Sequence, residues 1–203
     1  MNTRHLWSSA PRLAAATLCV LMASGCGSEM LRTGRSPMFL TVNNIETTNG
    51  ASDESGTNLL SDVQTIVDSV PTIFNDSAVA TLGVEAKDPS RPTSAINSVT
   101  ITRYRIAFRR IDGRNTPGVD VPFGWDGATS VTIPAGGTGG VAFEIVRHSS
   151  KREPPLRNLI NNGGVQFIYT IAEITFFGRD QNGNEVTATG HVDVAFSDFG
   201  DPQ

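Results

Sequence analysis

The residues that could do chemistry are few and scattered. Histidine occurs only at His5, His148 and His191, and no pair has the spacing of metal ligands. Ser149 and Ser150 follow His148, but no Gly-x-Ser-x-Gly elbow surrounds either serine. Asp180, Asn182 and Asn184 imitate the start of a calcium loop. Such a loop then needs Gly at its sixth position and Glu at its twelfth, where this chain has Glu185 and His191. Gly136-Gly137-Thr138-Gly139-Gly140 has the composition of a phosphate cradle but lacks the Lys-Ser/Thr and the helix that would complete one. Asp53-Glu54 sits in a polar stretch and reads as solvated. No catalytic, cofactor or metal residue emerges, and a protein that is not an enzyme is expected.

The remaining candidates are surfaces. Trp125 and Phe123 lie in Val121-Pro122-Phe123-Gly124-Trp125-Asp126-Gly127, a loop by composition. Aromatic rings there could stack on a sugar or anchor a protein; the reading preferred is that they cap one end of a core. Arg103, Arg105 and Arg109 share parity in a strand and so share a face. Cross-strand pairing with Glu173 and Asp193 is the preferred role, and a binding face for a protein or glycan the sharper one.

The elements that would carry these residues are strands. Met38–Asn43 is a first strand, and Glu46–Asn58 a polar loop. Leu59–Val70 has apolar residues at helical spacing, but its β-branched content favours strand, closed by Pro71. Ala78–Ala86 places its apolar residues at even positions. Val99–Arg110 changes parity, which one extra residue near Thr102, a β-bulge, would reconcile. Ser130–Ile133 and Val141–Val146 read as a pair joined by Pro134–Gly140, and Leu156–Asn162 as a helical turn. Val165–Phe177 and Glu185–Phe196 flank Asp180-Gln181-Asn182-Gly183-Asn184, where Asn-Gly is a strong hairpin signal. About seven or eight strands without a long helix predict an all-β, antiparallel two-sheet sandwich of immunoglobulin-like type. One domain over 38–203 is expected, with no internal repeat.

The N-terminus reads as targeting. Arg4 and Arg12 precede an apolar run, Leu13–Met22, too short for a spanning helix, which takes about 20 residues. Ala23-Ser24-Gly25-Cys26 follows and resembles the lipobox of bacterial lipoproteins, although the family prefers Leu where Ala23 stands. Residues 1–25 then form a signal peptide, Cys26 carries lipid, and 26–37 is a tether. Cys19 leaves with the signal, so the mature chain holds one cysteine and no disulfide. Of the 16 basic residues, Arg4 and Arg12 leave too, and the 20 acidic ones give the mature chain a net charge of −6. That balance argues against a general nucleic-acid partner. Residues 91–157 hold 10 of the basic residues, whereas 158–203 hold one basic and six acidic. Strands of the two blocks are expected side by side.

Thr102-Arg103-Tyr104-Arg105, the run from Asp112 to Pro122, Glu153-Pro154-Pro155-Leu156 and Phe199-Gly200-Asp201-Pro202 together resemble a family of uncharacterised bacterial lipoproteins. The terminal hairpin is also similar to bacterial immunoglobulin-like modules. The resemblance implies localisation and fold and carries no functional residue. The expectation is an envelope lipoprotein that binds a protein or glycan or serves a structural role. An envelope-polymer hydrolase or a small-ligand carrier is the alternative. Gly27, where Asp would resemble an inner-membrane retention signal, favours the outer membrane.

Overall fold

The computed structural model describes residues 34–199. The expected signal segment at 1–25, Cys26 and most of the expected tether lie outside the described residues. Two sheets pack face to face as the all-β sandwich that the strand pattern predicts. One has the order β2 (Ser55–Gly56), β1 (Met38–Thr48), β6 (Asp76–Ala86), β9 (Thr138–Val146). The other has the order β3 (Asn58–Asp62), β11 (Glu185–Ser197), β10 (Ile168–Asp180), β7 (Val99–Arg109), β8 (Trp125–Ile133). Pairing is antiparallel except between β3 and β11, which run parallel. β4 (Thr65–Val67) and β5 (Val70–Thr72) form a separate small hairpin.

Alternation explains the core. Ala78, Ala80, Leu82 and Val84 of β6 are buried, as are Ile168, Ala172, Ile174 and Phe176 of β10. Tyr104, Phe108, Phe143, Phe176 and Phe196 fill the space between the sheets in edge-to-face and tilted contacts, with centroids 5.1 to 5.7 Å apart. The bulge falls at Thr102, where the pairing of β7 slips against both its neighbours and returns Tyr104, Ile106 and Phe108 to the core side. A second bulge at Asn43 lets β1 continue beyond the expected strand.

Three expectations change. Glu46–Asn58 is not a single loop: its first three residues end β1, Ser55–Gly56 form β2 and Asn58 opens β3. Leu59–Val70 is extended but broken into β3, β4 and the start of β5, and Pro71 lies inside β5 rather than closing the segment. Segments 130–133 and 141–146 do not pair. β8 ends beside β7 in one sheet and β9 begins beside β6 in the other, so the connection crosses between sheets. Pro134 has no N–H with which to continue a ladder, and Gly136 turns with φ 72°. The link then fastens to β6, where Gly136 N–H donates to Val84 O at 2.7 Å and Val84 N–H to Gly137 O at 3.0 Å.

The strands give the sandwich two poles. Gly34, the turn between β10 and β11 and the β6–β7 connection lie at one end, close to the start of β1. The ends of β1, β7 and β11 lie at the other, about 35 Å away at the usual rise per residue. That far end is organised by buried polar groups. Lys151, one of two lysines in the chain, ends a short helical turn, α1 (His148–Lys151), and is fully buried. Its Nζ lies 2.9 Å from Asp76 Oδ2, an ion pair outside hydrogen-bond angles. Asp76 also accepts from Ser61 Oγ at 2.6 Å and Gly50 N–H at 3.0 Å. One carboxylate thus ties β3, β6, α1 and the turn after β1.

At the near end Asp180 staples the hairpin, accepting from the N–H groups of Asn182 and Asn184 at 2.9 Å each and from Asn184 Nδ2. Burial works against its charge, but these bonds and the Ser36 hydroxyl hold its carboxyl below the ordinary aspartate range. A lowered folded pKa means stability that is present above the unfolded value and lost as pH falls through the folded one. Asp180→Asn should therefore lower the melting temperature at about pH 7 and make progressively less difference as pH drops below about 4. Removing one partner of the far-end pair, by Asp76→Ala or Lys151→Ala, should cost about 3–5 kcal/mol in urea denaturation. The double variant Asp76→Leu/Lys151→Met should cost less than the sum, because it strands no charge.

Candidate functional site

The far end presents an apolar groove on the outer face of the five-stranded sheet. On that face β10 breaks the inside-apolar, outside-polar rule. Ile168, Thr170 and Ala172 face the core, yet Tyr169 and Ile171, on the outward phase, are also apolar. Their neighbours follow from register: Ile171 pairs with Arg109 of β7 and Asp193 of β11, Tyr169 with Ala195, and Ala195 with Leu60 of β3. Ile111 follows β7 at the rim. These residues line a groove of about 410 Å³, mostly apolar, with Asn58, Arg109 and Asp193 as its polar side. Tyr169 is 66 % exposed and Ile111 93 %. Phe167 stacks on Tyr169 with centroids 5.7 Å apart and planes 20° apart, and Phe199 tilts against Phe167. A contiguous cluster of this kind differs from singly scattered apolar residues and marks a contact surface.

Its flanks are tied by hydrogen bonds and ion pairs. Asp62, at the end of β3, accepts from Phe199 N–H at 3.1 Å and from the Thr65 hydroxyl, and the first of these holds Phe199 beside the groove. Burial pushes the Asp62 carboxyl up, against the pull of these bonds. On the other side runs the loop 110–124, which holds the whole Asp112–Pro122 string. Arg110 and Arg114 both grip Asp112, at 2.6 and 3.0 Å. The bonds from Arg110 hold the Asp112 carboxyl well below the usual range. Asn115 accepts from Arg110 N–H, and Thr116 O accepts from Val119, Asp120 and Val121 N–H, so the loop is folded on itself.

The sequence-derived candidates separate. Arg103, Arg105 and Arg109 do share the outer face. Arg105 and Arg103 converge on Asp126 of β8 at 2.7 and 3.5 Å, and Arg103 also covers the Phe177 ring at 4.0 Å. The Arg105 bond keeps the Asp126 carboxyl below the usual range. Arg109 pairs with Glu173 at 3.4 Å and alone of the three lines the groove. Phe123 is exposed in the loop. Trp125 opens β8 rather than lying in a loop, and its side chain turns inward. It meets Tyr104 edge-on at 5.3 Å, and the Arg147 guanidinium lies over its ring at 3.6 Å. Gly127 makes the room, since a Cβ there would stand 2.2 Å from the Tyr104 ring. Trp125 Nε1 and Arg147 Nε are buried without hydrogen-bond partners. His148 begins α1, and His191 stands on the outer face opposite Glu173.

Leu60, Ile111, Phe167 and Tyr169 had no part in the sequence reading. The signal for the last two was present, as Tyr169 on the outward phase of the strongest strand and Phe167 just before it. Leu60 and Ile111 come from separate segments and join them only through the parallel placement of β3 and the exit of β7.

Trp125→Ala should lower stability by about 2 kcal/mol or more, measured by denaturant unfolding, through loss of the Tyr104 and Arg147 contacts. An unchanged stability would free Trp125 as a binding residue. No protein-family model, curated protein or solved structure matches the chain, so the function has to be read from these residues.

Proposed function

We propose that the protein is a lipid-anchored envelope module, held to a membrane through Cys26, that docks a protein or glycan partner in the groove at its far end. The observation that carries this reading is the exposed cluster of Leu60, Ile111, Phe167 and Tyr169, on a face whose other large apolar side chain, Phe177, is covered by Arg103. The aliphatic members favour a protein, whose apolar side chains they match, while Arg109, Asp193 and Asn58 supply orientation at the rim. The two poles support the anchor: Gly34 leaves the end opposite the groove, so a lipid on Cys26 would turn the groove away from the bilayer. A positive n-region, a short apolar run and a lone mature cysteine support the lipidation itself.

A photo-crosslinking amino acid placed at Tyr169 in the full-length protein tests the reading in living cells. Discrete adducts should form from that position and not from Val79, an exposed apolar residue of the opposite sheet. Equal adducts from both positions, or none from either, would remove the groove as a docking surface.

A further inference from the structure

We propose that the groove's partner is a second copy of this chain, packed face to face across a two-fold axis that runs along β10. This rests on the reading of the groove as a docking surface and names its occupant.

The outer face is self-complementary about that line. β10 lies between β11 and β7, and Ile171 has Asp193 on one side and Arg109 on the other in the same row. A half-turn about an axis parallel to β10 lays β7 of each copy over β11 of the other. Arg109 of each copy then meets Asp193 of the other, so one row yields two opposite-charge contacts. In the next row, toward the far end, Tyr169 lies on the axis and meets itself. Ala195 and Leu60 extend to the β11 side and Ile111 to the β7 side, so the same half-turn sets aliphatic surface on aliphatic surface. Face-to-face sheets with near-aligned strands are an ordinary packing mode.

The anchor selects the same axis. An axis parallel to the strands keeps Gly34 of both copies at one end, so both tethers reach a single membrane. A half-turn perpendicular to the strands would send the two N-termini to opposite ends. One row works against the pairing: Glu173 approaches its own copy near the axis, although Arg109 holds it at 3.4 Å. The contact is therefore centred on the rows from Ile171 outward to the far end.

The test uses full-length protein in native membranes carrying Ile171→Cys, with a short bismaleimide as the probe. Cys26, the only other cysteine of the mature chain, is acylated in this reading. A crosslinked dimer is expected, with none from Val79→Cys. Added to Ile171→Cys, Arg109→Asp or Asp193→Arg alone should cut the dimer roughly tenfold or more. The two together should restore it, because the swapped charges again face each other. Thermal melting of each variant confirms its fold. A monomer only, or a dimer indifferent to both reversals, overturns the pairing, as does failure of the double variant to recover. Crosslinks from position 171 to a different protein alone also overturn it, while leaving the docking surface standing.

Discussion

The far end of the sandwich depends on one buried ion pair. Lys151 and Asp76 are both fully buried, and two charges taken out of water are tolerated only when each is compensated. Asp76 meets that demand by accepting from Ser61 and Gly50 as well. The consequence is positional. Ser61 belongs to β3, the short parallel strand that joins the sheet only through β11. Fixing β3 fixes Leu60 and Asn58 as one wall of the groove. The same carboxylate fixes the start of β6 and the helical turn after β9. Such a pair specifies an arrangement more than it adds net stability, since a well-packed apolar substitute for both partners could match its energy.

The second constraint is the filled interior. Five aromatic rings occupy the space between the sheets, and the strands turn their apolar phase toward it. Binding chemistry is therefore left to the outer faces and the loops. On most of the outer face charge is neutralised locally, by Asp126 under Arg103 and Arg105 and by Glu185 beside Arg179. Exposed pairs of this kind contribute little to stability. Their effect is to keep that region hydrated, which leaves the Tyr169 groove as the face's exposed apolar patch.

Much of the architecture was legible in the chain. The alternation in Ala78–Ala86, the parity change at Thr102 and the Asn-Gly turn each encode a local structure directly, and each appears where expected. The β8–β9 relation was not legible, because a hairpin within one sheet and a crossing between two sheets use the same turn residues. The difference lies in whether Gly136 and Gly137 bond to β6, a contact distant in sequence. Charge pairing was half legible. Arg109 meets Glu173 as expected, but Arg103 and Arg105 meet Asp126, whose place beside β7 depends on the register of β8. Trp125 packs against the core as the preferred reading has it, but its Pro- and Gly-rich neighbourhood hid the start of β8. The groove was hardest to see, since β3, β10, β11 and the exit of β7 each supply one part.

Tyrosine chemistry offers the most direct measurement of the central claim. The chain has two tyrosines, Tyr104 in the core and Tyr169 in the groove, so mild nitration of the folded protein reports on Tyr169. The account predicts that Tyr169 is protected in native membranes, where the groove is occupied, and becomes reactive when the protein is extracted and diluted. Equal reactivity in both states would show a groove that stands empty in place, and would contradict it.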